Sequence, residues 1–182
     1  MIDLTAKSLP NTIYANGRLF SIYTDFRVWM KFEKSLMGHR RGEFLPYRYL
    51  FKNDYPILTD LSDLLVFSRP EKKLPRQVGS AGSGIIAIDF ELDANLIYAA
   101  FLQQYGIDLI DIPELHWHKF LALLDGLKGT KMDEVMGYRF YEKQTDNRTD
   151  LYEQLREAWE IEVPLSEEEQ AELDEFNAKF GG

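Results

Sequence analysis

The stretch Asp89–Arg139, DFELDANLIYAAFLQQYGIDLIDIPELHWHKFLALLDGLKGTKMDEVMGYR, decides the fold. Asp93 heads a run in which Leu96, Ile97, Ala100, Phe101 and Tyr105 recur at three- and four-residue spacings. That is the pattern of a capped helix with one apolar face, and Gly106 supplies its stop. After a connection over 107–112, Pro113 suits the first turn of a second helix, where no amide is needed, and Glu114 suits the positive end of the helix dipole. Trp117, Phe120, Leu121, Leu124 and Leu127 continue one face until Gly126 and Gly129 interrupt it. Thr130 and Asp133 then approximate a capping box for a third helix carrying Met132, Val135 and Met136. Three helices with joints this short are expected to pack antiparallel.

Toward the N-terminus, Leu9–Tyr23 reads as a β-hairpin about the turn Asn16-Gly17. Thr24 or Asp25 caps a helix in which Phe26, Trp29, Met30, Glu33, Leu36 and Met37 share a face, ending at Gly38. Pro46–Asn53 and Leu58–Ser68 read as two shorter helices divided by Pro56. The composition of 69–84 shifts to Pro, Lys, Gly and Ser, the pattern of a flexible linker, and Ile85–Leu92 reads as a short strand or an extended lead. Toward the C-terminus, Asp150–Glu160 and Ser166–Phe180 read as helices, the second with a Ser166/Glu169 capping box. The fold class expected is mainly α (α+β): a helical, bundle-like domain over 1–145 with a small N-terminal β-hairpin, followed by an acidic helical extension over 146–182.

Charge supports that division. The 182 residues carry a net charge of −9, and 146–182 holds twelve acidic residues against three basic ones, whereas 1–145 holds eighteen of each. An acidic extension opposes binding to a phosphate backbone, so nucleic acid is not an expected partner. Cys is absent, which excludes a thiol nucleophile and a Cys-ligated metal. The N-terminal residues lack a signal peptide's apolar core and cleavage site, and no apolar run approaches the ~20 residues of a membrane span. The chain is therefore expected to be soluble, to bind no membrane and to stay where it is made.

Motifs that imitate chemistry have plainer readings. His116 and His118 flank Trp117, but residues two apart on a helix point about 200° from each other, whereas shared metal ligands need three- or four-residue spacing. The glycines of 79–84 precede a strand-like segment and not a helix, so they do not form a phosphate loop. Asp89, Glu91, Asp93, Asp108, Asp111 and Glu114 cluster where helices begin, and capping accounts for them better than acid-base work does. No catalytic residue, cofactor site or metal site is expected. Leu151, Leu155, Ala158 and Trp159 share a face, as do Leu173, Phe176 and Phe180, and such acidic amphipathic helices either fold back on their own domain or dock into a partner's groove.

The runs LIYAAFLQQYGIDL, LHWHKFLALLDGL and MGYR, in that order, resemble those of the bacteriophage gene-product-fifteen family, encoded in the tail module of long-tailed phages of Gram-positive bacteria. The resemblance covers about a third of the chain strongly and brings no active site with it. It implies a non-enzymatic protein of tail morphogenesis in the cytoplasm of the bacterial host, a tail assembly chaperone that binds the tape-measure protein, tail-tube subunits or both. The alternative is a structural component retained in the virion tail, and a homo-oligomer suits either role. A chaperone needs accessible apolar side chains, and Trp117, Phe120, Trp159 and Phe176 are the candidates for partner contact.

Overall fold

The computed structural model describes residues 2–37, 45–70, 87–141, 149–161 and 178–179. They form a two-stranded antiparallel hairpin and six α-helices, a mainly α fold with a small N-terminal β element. The hairpin joins β1 (Thr12–Ala15) to β2 (Arg18–Ser21) in the register Ile13 to Phe20 and Tyr14 to Leu19. Asn16 and Gly17 both have positive φ, at 50° and 81°, as the tightest hairpin turn requires. The side chain of Asn16 also donates to the carbonyl of Ile57 at 2.9 Å, tying the turn to a remote loop.

The first helix, α1 (Phe26–Met37), starts at Asp25, whose carboxylate accepts the amide of Arg27 at 3.0 Å. Pro46–Asn53, expected as a helix, holds only a 3-10 turn at Arg48–Leu50. The reason is tertiary: Tyr23 donates its amide to Leu50 and Lys52 donates its own to Ser21, so this backbone extends β2. The helix α2 (Ser62–Ser68) is shorter than expected, because Leu58 gives its amide to the Tyr47 hydroxyl and the Asp60 carboxylate holds the amide of Ser62. The linker expected over 69–84 lies outside the described residues beyond Pro70. The described part of Ile85–Leu92 is no strand; it turns, with the Asp89 carboxylate accepting the amides of Glu91 and Leu92.

The decisive stretch gives α3 (Ala94–Tyr105), α4 (Trp117–Asp125) and α5 (Lys131–Arg139). Gly106 closes α3 in the left-handed conformation at φ 64°. The helix α4 begins three residues later than Glu114, because His116 is committed to a β-bridge with Asp25. In α5 the capping box is formed: Thr130 accepts the amide of Asp133, and Asp133 reaches back to the amide of Gly129. The last described helix, α6 (Thr149–Trp159), packs on α5 through Tyr152, which stacks on Tyr141 and meets Tyr138 edge-on. The helix expected over Ser166–Phe180 lies outside the described residues except at 178–179.

One core unites hairpin and helices. Phe120 lies at its centre, its ring stacked with those of Phe26, Phe101 and Trp117 at centroid distances of 4.9, 5.1 and 5.6 Å. Around it the starts of α1 and α4 are zipped together: Phe26 donates its amide to Leu115 and Trp117 donates its own to Thr24. Arg27 then reaches from α1 to the carbonyls of Leu109 and Ile112, both at 2.8 Å, and holds the α3–α4 connection in place.

Candidate functional site

The residues named from sequence divide into core and periphery. Trp117 and Phe120 are core residues, 1% and 0% exposed, and the indole N–H of Trp117 is spent on the carbonyl of Ser68 at 2.7 Å. Neither presents surface to a partner in this conformation, because the apolar face of α4 turns toward α1 and α3. Trp159 is half-buried at the end of α6, and Phe176 lies outside the described residues.

His116 and His118 come closer than helical spacing implies, with ring centroids 5.1 Å apart, because His116 stands before the helix as its cap. Its Nδ1 accepts the amide of His118, and its Nε2 donates to the carbonyl of Pro10. His118 is buried and donates Nε2 to the carbonyl of Phe67 at 2.8 Å. Burial pushes both imidazoles below their ordinary pKa; the neighbouring carbonyls offset part of that effect. Among the described residues no group of His, Cys, Asp or Glu is placed to hold a metal ion.

The acidic residues near the helix starts hold structure together. Asp108 accepts the amides of Ile110 and Asp111 and the hydroxyl of Tyr98. Glu114 accepts the hydroxyl of Thr24, and Glu91 pairs with Lys34 at 2.5 Å. Asp93 does more than head α3: it receives both terminal nitrogens of Arg139 inside the protein. A second internal carboxylate, Glu33 on α1, accepts the hydroxyl of Ser68 and the guanidinium of Arg69, fastening the end of α2.

One exposed apolar surface lies near the hairpin. Tyr14 and Leu19 pair across the strands on the solvent face, 63% and 65% exposed, while Ile13 and Phe20 fill the core from the other face. Beside β1 runs an open, mostly apolar groove of about 950 Å³, walled by Leu4, Tyr14 and Val66 and floored by Ile13 and Phe67. Val66 on α2 and Leu4 at the N-terminus are 73% and 93% exposed. Strand alternation in the sequence would have identified Tyr14 and Leu19 as an outward pair; the convergence of Leu4 and Val66 beside Tyr14 is tertiary and left no sequence signal.

No helix of the described residues is long and apolar enough to cross a membrane. No curated protein and no solved structure matches the chain. The family model described as Bacteriophage Gp15 protein matches residues 58–161, which carry α2 through α6 and more than half of the chain. The chain therefore belongs to the Bacteriophage Gp15 protein family.

Proposed function

We propose that this phage protein is a non-enzymatic tail assembly chaperone, working in the host cytoplasm on the tape-measure protein, the tail-tube subunits or both. The observation that carries the reading is the exposed apolar surface around the hairpin, where Tyr14, Leu19 and Val66 stand free of the core in a member of a phage family. Long amphipathic helices such as those of a tape-measure protein aggregate unless their apolar faces are covered, and reversible cover requires accessible aromatic and aliphatic side chains. The acidic residues of 146–182 keep such a complex soluble through net charge.

The test is co-expression with the tape-measure protein of the same phage, followed by affinity capture and size-exclusion chromatography with light scattering. The expected result is a soluble complex that forms only when both chains are present. Absence of a complex, with the chain instead retained in purified virions, would replace the chaperone by a structural tail component.

A further inference from the structure

Among the described residues one edge of the hairpin is hydrogen-bonded, while the other, which α2 packs beside, carries unpaired main-chain groups. Ile22 donates its amide to Asn11, so the pairs Ile13 with Phe20 and Ala15 with Arg18 are the hydrogen-bonded ones. The main-chain groups of Thr12 and Tyr14 therefore point away from β2. On the β2 side, the carbonyl of Ser21 is taken by the amide of Lys52. On the β1 side, no described group bonds to the main chain of Thr12 or Tyr14, and the apolar groove begins there.

Among the described residues that line the groove, the carboxylates of Asp3 and Asp63 stand without a Lys or Arg beside them. Hydrogen bonds from the hydroxyl and amide of Thr5 hold the Asp3 carboxyl below the usual carboxylate range, so it is ionised at neutral pH. We propose that β1 receives an extended basic segment of a partner protein, which adds to the hairpin as a third strand with alternate apolar side chains in the groove and basic ones beside Asp3 and Asp63. This deepens the tail-assembly reading and rests on it for the partner being a protein. A second copy of the chain is the weaker occupant, because two edges paired together would bring the acidic rims of both copies against each other.

The test uses the full ¹⁵N-labelled chain and a synthetic heptapeptide of alternating lysine and valine with blocked ends. Two further peptides act as controls: the same sequence N-methylated on alternate residues, which keeps the charge but removes the donors facing β1, and a glutamate/valine counterpart. The expected result is binding of the lysine/valine peptide that shifts the amide resonances of Thr12 and Tyr14. N-methylation and the double variant D3K/D63K should each weaken it about tenfold or more, and the glutamate/valine peptide should not bind. Equal binding of the N-methylated peptide would reduce the effect to electrostatic adhesion and overturn strand addition. Failure of the lysine/valine peptide to bind, equal binding of the acidic peptide, or self-association that shifts the same amides would also overturn it. A tape-measure complex that forms while the peptides fail would sink only the strand-addition mode; loss of that complex with the peptides still bound would sink only the chaperone reading.

Discussion

The guanidinium of Arg139 meets the carboxylate of Asp93 through both terminal nitrogens, at 2.7 and 2.8 Å, with the two side chains only 4% and 2% exposed. Two further donors go to main-chain carbonyls, Nε to Trp159 and a terminal nitrogen also to Ala87. One side chain on α5 thus joins the lead into α3, the start of α3 and the end of α6. Removing either partner leaves a buried charge uncompensated, so Arg139→Ala or Asp93→Ala should cost about 3–5 kcal/mol in urea denaturation. The double variant R139A/D93A should lose less than the sum of the two, and strict additivity would show that the pair acts as two separate groups.

The docking of α6 changes what truncation should do. Reading the chain by charge alone makes 146–182 a dispensable appendage, yet Trp159 supplies a carbonyl to Arg139 and Ile161 is buried. Deleting 146–182 should therefore lower stability by on the order of 2–4 kcal/mol, from one buried apolar side chain and one orphaned donor. An unchanged melting curve for the truncated chain would show that α6 contributes nothing to the body.

The two histidines set a pH dependence. Burial lowers both folded pKa values below the ordinary 6.5, so the unfolded chain takes up protons first. Their contribution to stability is full above pH 6.5 and declines as pH falls through that value toward the depressed folded ones. Urea midpoints measured from pH 7.5 downward should fall in that window, and the variant H116N/H118Q should flatten the fall. The same slope in the variant would assign the effect to other groups.

Gly17 sits at φ 81°, where a Cβ is strained although no neighbour would touch it. Gly17→Ala should cost about 1 kcal/mol and lower the melting temperature by about 2–4 °C. A melt indistinguishable from the parent would mean that the turn relaxes to another type.

Core and surface aromatics should separate cleanly. Phe120→Ala removes the ring on which three others stack and should cost about 3–5 kcal/mol. Tyr14→Ser, on the exposed face of the hairpin, should change stability by no more than about 0.5 kcal/mol while weakening tape-measure capture. Capture unaffected by Tyr14→Ser would place the contact surface elsewhere.

Much of the fold was legible because its signals are local. Asn16-Gly17, Gly106 and the pair Thr130 and Asp133 each specify a turn or a cap within a few residues, and each forms as the sequence implies. Two of the misreadings share one cause. Phe51 and His116 are committed to β-bridges with Ile22 and Asp25, residues far away in the chain, so the helices expected around them stop short. The candidate site was harder still. Periodicity showed that Trp117 and Phe120 share a face with Leu124, but whether that face meets solvent or α1 depends on a helix some ninety residues upstream. Arg139, the last residue of the MGYR run, carried no sign that it would be buried, since a lone arginine near a helix end ordinarily faces water.

The aromatic stack around Phe120 has a bearing on where this protein divides. The family match covers residues 58–161, but the ring of Phe26, the bond from Trp117 to Thr24 and the reach of Arg27 to Leu109 and Ile112 all cross its first residue. A recombination joint placed there would pass through the centre of the molecule. The region before residue 58 is therefore not a detachable cassette: a replacement would have to bring a ring for Phe120 and a cation for the α3–α4 connection.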